Sequence, residues 1–187
     1  MDGVEGRARL LVSKHLQVIQ INLNKAHAAQ IELLNKINKL NTYIAFVTEP
    51  FCYKYKLSLP PKNSTIIPHK RTGQPRTAIY CSKDLNLSEL DHLSNRDMVV
   101  GIMRMERKEV ILISLYCDIK TDVITDDLKK AVEYGRTRGH SIIIAADTNA
   151  HSILWGRETN KRGKDLEDFI RDNDIQIHNL GREYTFE

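Results

Sequence analysis

Behind the apolar run Ser141-Ile142-Ile143-Ile144 stands Ala145-Ala146-Asp147-Thr148-Asn149-Ala150-His151-Ser152, which sets a carboxylate and an amide two residues apart. Such a pair suits a site that handles a metal ion and a phosphate. The isoleucines read as a buried strand whose last residues project into a cleft, where active sites of layered α/β folds form. Asp and Asn also punctuate ordinary turns, so this motif alone does not decide. Its company upstream does more. Leu16-Gln17-Val18-Ile19-Gln20-Ile21-Asn22-Leu23-Asn24 is a strand by alternation and β-branching, ends in two amides, and precedes a helical stretch from about Ala28 to Leu40. Tyr43-Ile44-Ala45-Phe46-Val47 ends in Thr48-Glu49-Pro50, and Val110-Ile111-Leu112-Ile113-Ser114-Leu115 ends in Tyr116. Taken singly, Tyr116 is an ordinary strand-end aromatic, and Asn22 or Asn24 can satisfy nearby backbone groups. Taken together, Asn22, Glu49, Tyr116 and Asp147 cap four apolar strands with groups able to bind phosphate or metal, which turn chemistry does not require.

The ordered set of motifs resembles the endonuclease/exonuclease/phosphatase superfamily, and within it the apurinic-type endonucleases of jockey-like non-LTR retrotransposons. The resemblance is carried by Gln20-Ile21-Asn22-Leu23-Asn24, Thr48-Glu49-Pro50, Ser114-Leu115-Tyr116, Ala146-Asp147-Thr148-Asn149-Ala150-His151-Ser152 with Trp155-Gly156 behind it, and Tyr184-Thr185-Phe186. It runs from Leu16 to the last residue. It implies that Glu49 is the principal ligand of a Mg²⁺ or Mn²⁺ ion with Asn24 near it. Mg²⁺ takes few, hard oxygen ligands and keeps its waters for exchange with phosphate oxygens. It also implies that Asp147 orients or deprotonates the attacking water while Asn149, Asn22 and Tyr116 hydrogen-bond the scissile phosphate. In-line attack on a phosphodiester needs a positioned nucleophile and neutralised oxygens, which a metal and neutral donors supply.

One element of the family pattern is missing. Members continue past the Thr-Phe strand to a Ser-Asp-His motif, whereas this sequence ends at Glu187. Asp91-His92 is an Asp-His pair in a polar stretch, Ser88 to Asn95, ahead of the wrong strands, and is expected in an exposed loop. His151 is not expected to replace the missing histidine. The resemblance implies single-strand nicking of double-stranded target DNA, with a reverse transcriptase in the same full-length polyprotein. The absent motif favours a truncated, inactive nucleic-acid-binding remnant, and the isolated chain is expected to nick barely or not at all. A third reading is a small-molecule phosphatase of the same superfamily.

At 187 residues, 41% of them hydrophobic, the chain can build one substantial core. No apolar stretch approaches the roughly 20 residues of a membrane span, and Met1 to His15 lacks a signal-peptide core. The expectation is no membrane and an intracellular protein, nuclear when it acts on chromosomal DNA. Cys52, Cys81 and Cys117 have neither zinc-ligand nor disulfide spacing and are expected to be reduced, partly buried thiols.

The net charge of +4 permits nucleic-acid binding without requiring it. The placement of the cations says more. Lys54, Lys56, Lys62, His69, Lys70, Arg71 and Arg76 crowd the segment between the Glu49 strand and Thr77-Ala78-Ile79-Tyr80, with Tyr53 and Tyr55 available to pack on sugar or base edges. A second group, Arg157, Lys161, Arg162 and Lys164, follows Trp155-Gly156. From these, Lys70, Arg71, Arg76, Arg157, Lys161 and Arg162 are the expected DNA-binding residues. A solvated basic loop is the competing account.

The remaining elements must position these groups. Met98 to Met105 and Glu109 to Tyr116 read as a hairpin around Glu106-Arg107-Lys108. A helix from about Thr125 to Arg138 opens on a threonine cap and an acidic first turn and stops at Gly139. Another runs near Gly163 to Asp172, and Ile175 to Leu180 follows as a strand containing His178. Hairpins and helical crossovers together require mixed sheets. The resemblance implies an α/β four-layer sandwich over residues 16–187, two mixed sheets face to face with helices outside, preceded by a flexible segment over residues 1–15. One sheet is expected to miss its last strands and expose an edge.

Overall fold

The computed structural model describes residues 16–57, 64–68, 74–105, 108–156 and 158–179. The segment 1–15, the cations Lys62, His69, Lys70, Arg71 and Arg157, and the Tyr184-Thr185-Phe186 motif lie outside the described residues.

Alternation along the strands builds the layers. In the first sheet, β1 (Gln17–Asn22) runs parallel to β2 (Tyr43–Thr48), which pairs antiparallel with β6 (Thr77–Ser82), and β6 pairs antiparallel with β5 (Ser64–Ile67). Tyr43, Ala45 and Val47 of β2 and Ala78 and Tyr80 of β6 face outward, onto Leu33 and Ile37 of α1 (His27–Ile37). The intervening Ile44, Phe46, Ile79 and Cys81 face the second sheet. This period of two is what a strand buried on both faces demands.

The second sheet repeats the plan. Its order is β10 (Ser141–Asp147), β9 (Lys108–Tyr116), β8 (Met98–Met105), β7 (Leu87–Glu89), with β10 parallel to β9 and the other pairs antiparallel. Leu112, Val99, Met103 and Ala145 meet the first sheet's inner face. Ile111, Ile113, Leu115, Met98 and Val100 face out, beneath Leu128, Ala131 and Val132 of α2 (Asp126–Thr137) and Leu166 and Phe169 of α3 (Lys161–Asp172). Each large aliphatic side chain so buried contributes roughly 1.5–3 kcal/mol. The result is the expected four-layer α/β sandwich, and among the described residues no helix is long and apolar enough to cross a membrane.

Several expectations are corrected. The Asp147 strand is only half buried, with Ile143 39% exposed, because among the described residues β10 has a neighbour, β9, on one side alone. Ile175 to Asn179 forms no strand. The segment after Glu49 is not all loop: it holds a two-stranded ribbon, β3 (Cys52–Tyr53) with β4 (Lys56–Leu57), and then β5. Ser88 and Glu89 belong to β7, and Asp91-His92 sits in an exposed 3₁₀ turn where His92 meets the Tyr134 ring edge-on. The three cysteines are unpaired, Cys81 and Cys117 buried and Cys52 half-buried.

Candidate active site

The two parallel pairs, β1 with β2 and β9 with β10, deliver their C-terminal ends to one end of the sandwich. Register places Asn22 opposite Thr48 and Asp147 opposite Tyr116. The sheets are then joined side chain to strand. Asn22 Nδ2 donates to Asp147 Oδ2 at 2.6 Å and lies 3.4 Å from Glu49 Oε2. Two residues earlier on the same face of β1, Gln20 Nε2 donates to the Ala146 carbonyl at 2.8 Å. One amide therefore sits between two carboxylates from different sheets, 98 residues apart in sequence.

Glu49 is held by its backbone as well as its side chain. Its φ is +46°, the left-handed region that costs a side-chain-bearing residue on the order of 1 kcal/mol or more. The conformation is pinned from both sides: Glu49 N–H donates to the Arg76 carbonyl at 2.8 Å, and the Glu49 carbonyl accepts from Lys25 N–H at 2.8 Å. Lys25 Nζ also pairs with Glu49 Oε1 at 3.0 Å. Asn24, exposed and likewise at positive φ, donates its main-chain N–H to Asn22 Oδ1 at 2.7 Å, which sets the Asn22 amide. Asn149, at φ +47°, is exposed and donates Nδ2 to the Cys117 carbonyl at 2.9 Å, while Cys117 N–H donates to the Asp147 carbonyl at 2.8 Å.

Tyr116 carries a guanidinium on its face. The Arg76 Cζ lies 4.1 Å from the ring centroid, and the same group pairs with Asp97 (3.2 Å) and Asp118 (3.0 Å). The N–H of Lys120 and the Arg76 guanidinium hold the Asp118 carboxyl below its ordinary range.

The loop carrying Asn149 is built against the start of α3. Asn160 caps that helix, its Oδ1 accepting from Gly163 N–H at 2.8 Å and from His151 N–H at 3.2 Å. Ser152 is fully buried and donates to Glu167, and Trp155 Nε1 donates to the Ala150 carbonyl at 2.9 Å. The His-Ser-x-x-Trp-Gly stretch thus folds the loop back onto the helix. His151 is exposed and enters this arrangement through its main chain. Arg162 donates to the carbonyls of Asn149, Thr121 and Thr148.

Of the residues singled out from sequence, Asn22 is within hydrogen-bonding reach of both Glu49 and Asp147. Asn24 supports Asn22 by main chain, Tyr116 pairs with Asp147 across the β9–β10 ladder, and Asn149 follows on the next loop. Arg76 and Arg162, expected to reach DNA, have their guanidinia engaged inside the protein, and Lys161 opens α3 in an exposed position. Sequence reasoning missed Lys25, Gln20, Asp97 and Asp118. Gln20 was findable, since residues two apart on a strand share a face; the others carry no local signal.

The donor set is one of hard oxygens. A Mg²⁺ ion takes one or two carboxylates and completes its shell with water and phosphate, so Glu49 with a neutral amide beside it fits such an ion. Among the described residues no three His, Cys, Asp or Glu side chains gather into a metal cluster.

The family described as endonuclease-reverse transcriptase matches residues 110–187. Among solved structures, the endonuclease domain of TRAS1, a telomere-specific non-LTR retrotransposon, is similar over 92% of this chain and 77% of its own, with 22% identity and a TM-score of 0.73. No curated protein matches the chain.

Proposed function

We propose that this chain, which has the fold of a retrotransposon endonuclease domain and an endonuclease-reverse transcriptase signature over residues 110–187, is a Mg²⁺- or Mn²⁺-dependent endonuclease that nicks one strand of duplex DNA. The observation that carries the reading is the Asn22 amide set between Asp147 and Glu49. Phosphodiester hydrolysis needs a base for water beside a site for a cation, and here one neutral donor keeps the two carboxylates together without adding charge.

Asp147, its carboxylate oriented by Asn22, takes the proton of the attacking water. The new P–O bond forms in line with departure of the 3′ oxygen, which gains a proton and leaves a 3′-hydroxyl able to prime DNA synthesis. Asn149, its amide oriented by the Cys117 carbonyl, and Tyr116, its ring fixed beneath Arg76, would serve as neutral donors to the phosphate oxygens. Glu49 and Asn24 would hold the cation, and Lys25 would yield Glu49 Oε1 to it. When bound, the ion supplies neutralisation of the phosphate charge. Duplex DNA would lie across this end of the sandwich, met by the exposed ribbon residues Tyr53 and Tyr55 with Lys54 beside them, and by Lys161. In the cell this implies work on chromosomal DNA in the nucleus, as part of a polyprotein with a reverse transcriptase.

The test is conversion of supercoiled plasmid to nicked circle with enzyme in excess, so that slow cutting is counted. Slow cutting is expected with Mg²⁺ or Mn²⁺ and none with EDTA, and Asp147→Ala or Glu49→Ala should each lower the rate about a hundredfold or more. Cutting that survives both substitutions refutes the assignment.

A further inference from the structure

Arg76 stands at a junction that neither the fold nor the comparisons assign. It is the last residue before β6, and its main chain ties three segments: its carbonyl accepts Glu49 N–H at 2.8 Å, and its own N–H donates to the Arg96 carbonyl at 2.9 Å. The side chain crosses to the second sheet. Its Nε lies 3.2 Å from Asp97 Oδ1, its Nη2 lies 3.0 Å from Asp118 Oδ2, and its planar face covers the Tyr116 ring. Tyr116 N–H in turn donates to the Asp97 carbonyl at 2.8 Å, so ring, guanidinium and carboxylate close one circuit.

This geometry is not that of an ordinary phosphate contact. The Arg76 side chain is only 13% exposed, its Nε and Nη2 face carboxylates, and those two carboxylates outweigh its single charge. A guanidinium binds phosphate best through paired N–H donors, and the Nε–Nη2 pair is turned to Asp97 and Asp118 here. What Arg76 does contact is the backbone of Glu49 and the ring of Tyr116, one from each sheet.

We propose that Arg76 is a positioning residue for the nuclease site: it holds Glu49 in its left-handed conformation through the main chain and fixes the Tyr116 ring through its side chain, without touching DNA. The inference rests on the nuclease reading for its rate effect and is independent of it for its binding effect.

The experiment compares the wild-type chain with Arg76→Met, which removes the charge, and Arg76→Lys, which keeps charge but loses the planar fork. Single-turnover nicking should fall on the order of tenfold to a hundredfold in both, as for a misplaced catalytic group. Duplex affinity and its salt dependence should stay as in wild type, whereas loss of a phosphate contact would reduce the salt slope by about 1. Tyr116→Leu combined with Arg76→Met should nick no more slowly than Tyr116→Leu alone, and the Tyr116 ring resonances should shift in both Arg76 variants. Urea unfolding of each variant confirms that it is folded, and Arg76→Lys stands in if Arg76→Met is not. A reduced salt slope, an unchanged rate in a nicking-competent protein, additive losses in the double variant, or unmoved Tyr116 resonances would each overturn the assignment. If the wild-type chain nicks too slowly for rates to be compared, the salt slope and ring resonances decide the role of Arg76.

Discussion

Replacing Gly163 with alanine sets two effects of opposite sign against each other. Gly163 is the third residue of α3, where alanine should favour the helix by about 1 kcal/mol. A Cβ there would lie 1.6 Å from the His151 carbonyl oxygen and 2.5 Å from its carbon. Both obstacles are main chain, so no rotamer change clears them, and helix and loop must separate by about 1.5 Å or more to restore ordinary contact. Overpacking of this kind costs about 1–3 kcal/mol. Separation also stretches the two hydrogen bonds that join the loop to the helix cap, His151 N–H to Asn160 Oδ1 at 3.2 Å and Asn160 N–H to the His151 carbonyl at 3.0 Å, at about 1 kcal/mol each. Net of the helix gain, Gly163→Ala should destabilise by roughly 2–4 kcal/mol, and at 2–4 °C per kcal/mol for a chain of this size Tm should fall by about 5–15 °C. Urea melts measured beside Lys164→Ala, an exposed neighbour expected near neutral, provide the assay. A Gly163→Ala protein as stable as wild type, or more stable, would show that α3 does not press on the His151 turn and that the Asn149 loop is not held as described.

Three further outcomes follow from individual contacts. Lys25→Met removes a cation 3.0 Å from Glu49 Oε1; since an exposed pair of this kind is worth up to about 1 kcal/mol, Mn²⁺ affinity measured by EPR should rise by up to about fivefold, and a fall would exclude competition between Lys25 and the ion. Burial pushes the Cys52 and Cys117 thiols up to about 11 and Cys81 to about 12, so at pH 8 a disulfide reagent should label the native chain about a hundredfold or more slowly than the urea-unfolded chain; fast native labelling of Cys117 would mean that the β9–loop junction opens. The Asp118 carboxyl is held below its ordinary 3.8 by Lys120 N–H and Arg76. A depressed carboxyl stabilises the fold above its unfolded pKa, and that contribution is lost as pH falls through the folded pKa. Asp118→Asn should therefore be less stable than wild type at neutral pH and equal to it at the acid end, and an undiminished gap at low pH would refute the ion pair.

Much of the fold was legible because its signals are local and periodic. The near-continuous apolar runs Tyr43 to Val47 and Val110 to Leu115 report two-sided burial whatever the partner strand. The Thr125 cap accepting from Leu128 N–H at 3.2 Å and the positive φ of Gly139 bracket α2 within two residues of where the sequence puts it. Short elements were not legible. The Lys54-Tyr55 turn takes positive φ at both positions without the Asn-Gly that normally announces it, and three-residue β7 is too brief to show a period. The isoleucine run of β10 promised full burial, yet hydrophobicity cannot distinguish an edge strand packed on one helix-covered face from a central one.

The site divides in the same way. Asn22, Glu49, Tyr116 and Asp147 could be picked out because each ends an apolar run; parallel pairing of β1 with β2 and β9 with β10 aligns the ends within each pair, and the packing of β1 against β10 brings the two pairs together. The residues that hold them in place could not, because a charge in a sequence does not say what neutralises it. Arg76 and Arg162 sit in basic stretches and look like DNA contacts; in space, one is held by Asp97 and Asp118 and the other by three carbonyls. Gln20 and Asn22 make the complementary point. Uncharged and on one face of an edge strand, they join β1 to β10 at two successive same-face positions. Two carboxylates from different sheets would repel if brought together bare, and the amide between them lets the sandwich close while leaving the net negative charge a cation would need. The polarity of β1, a weakness when it is judged as a core strand, is what allows the two sheets to share one site.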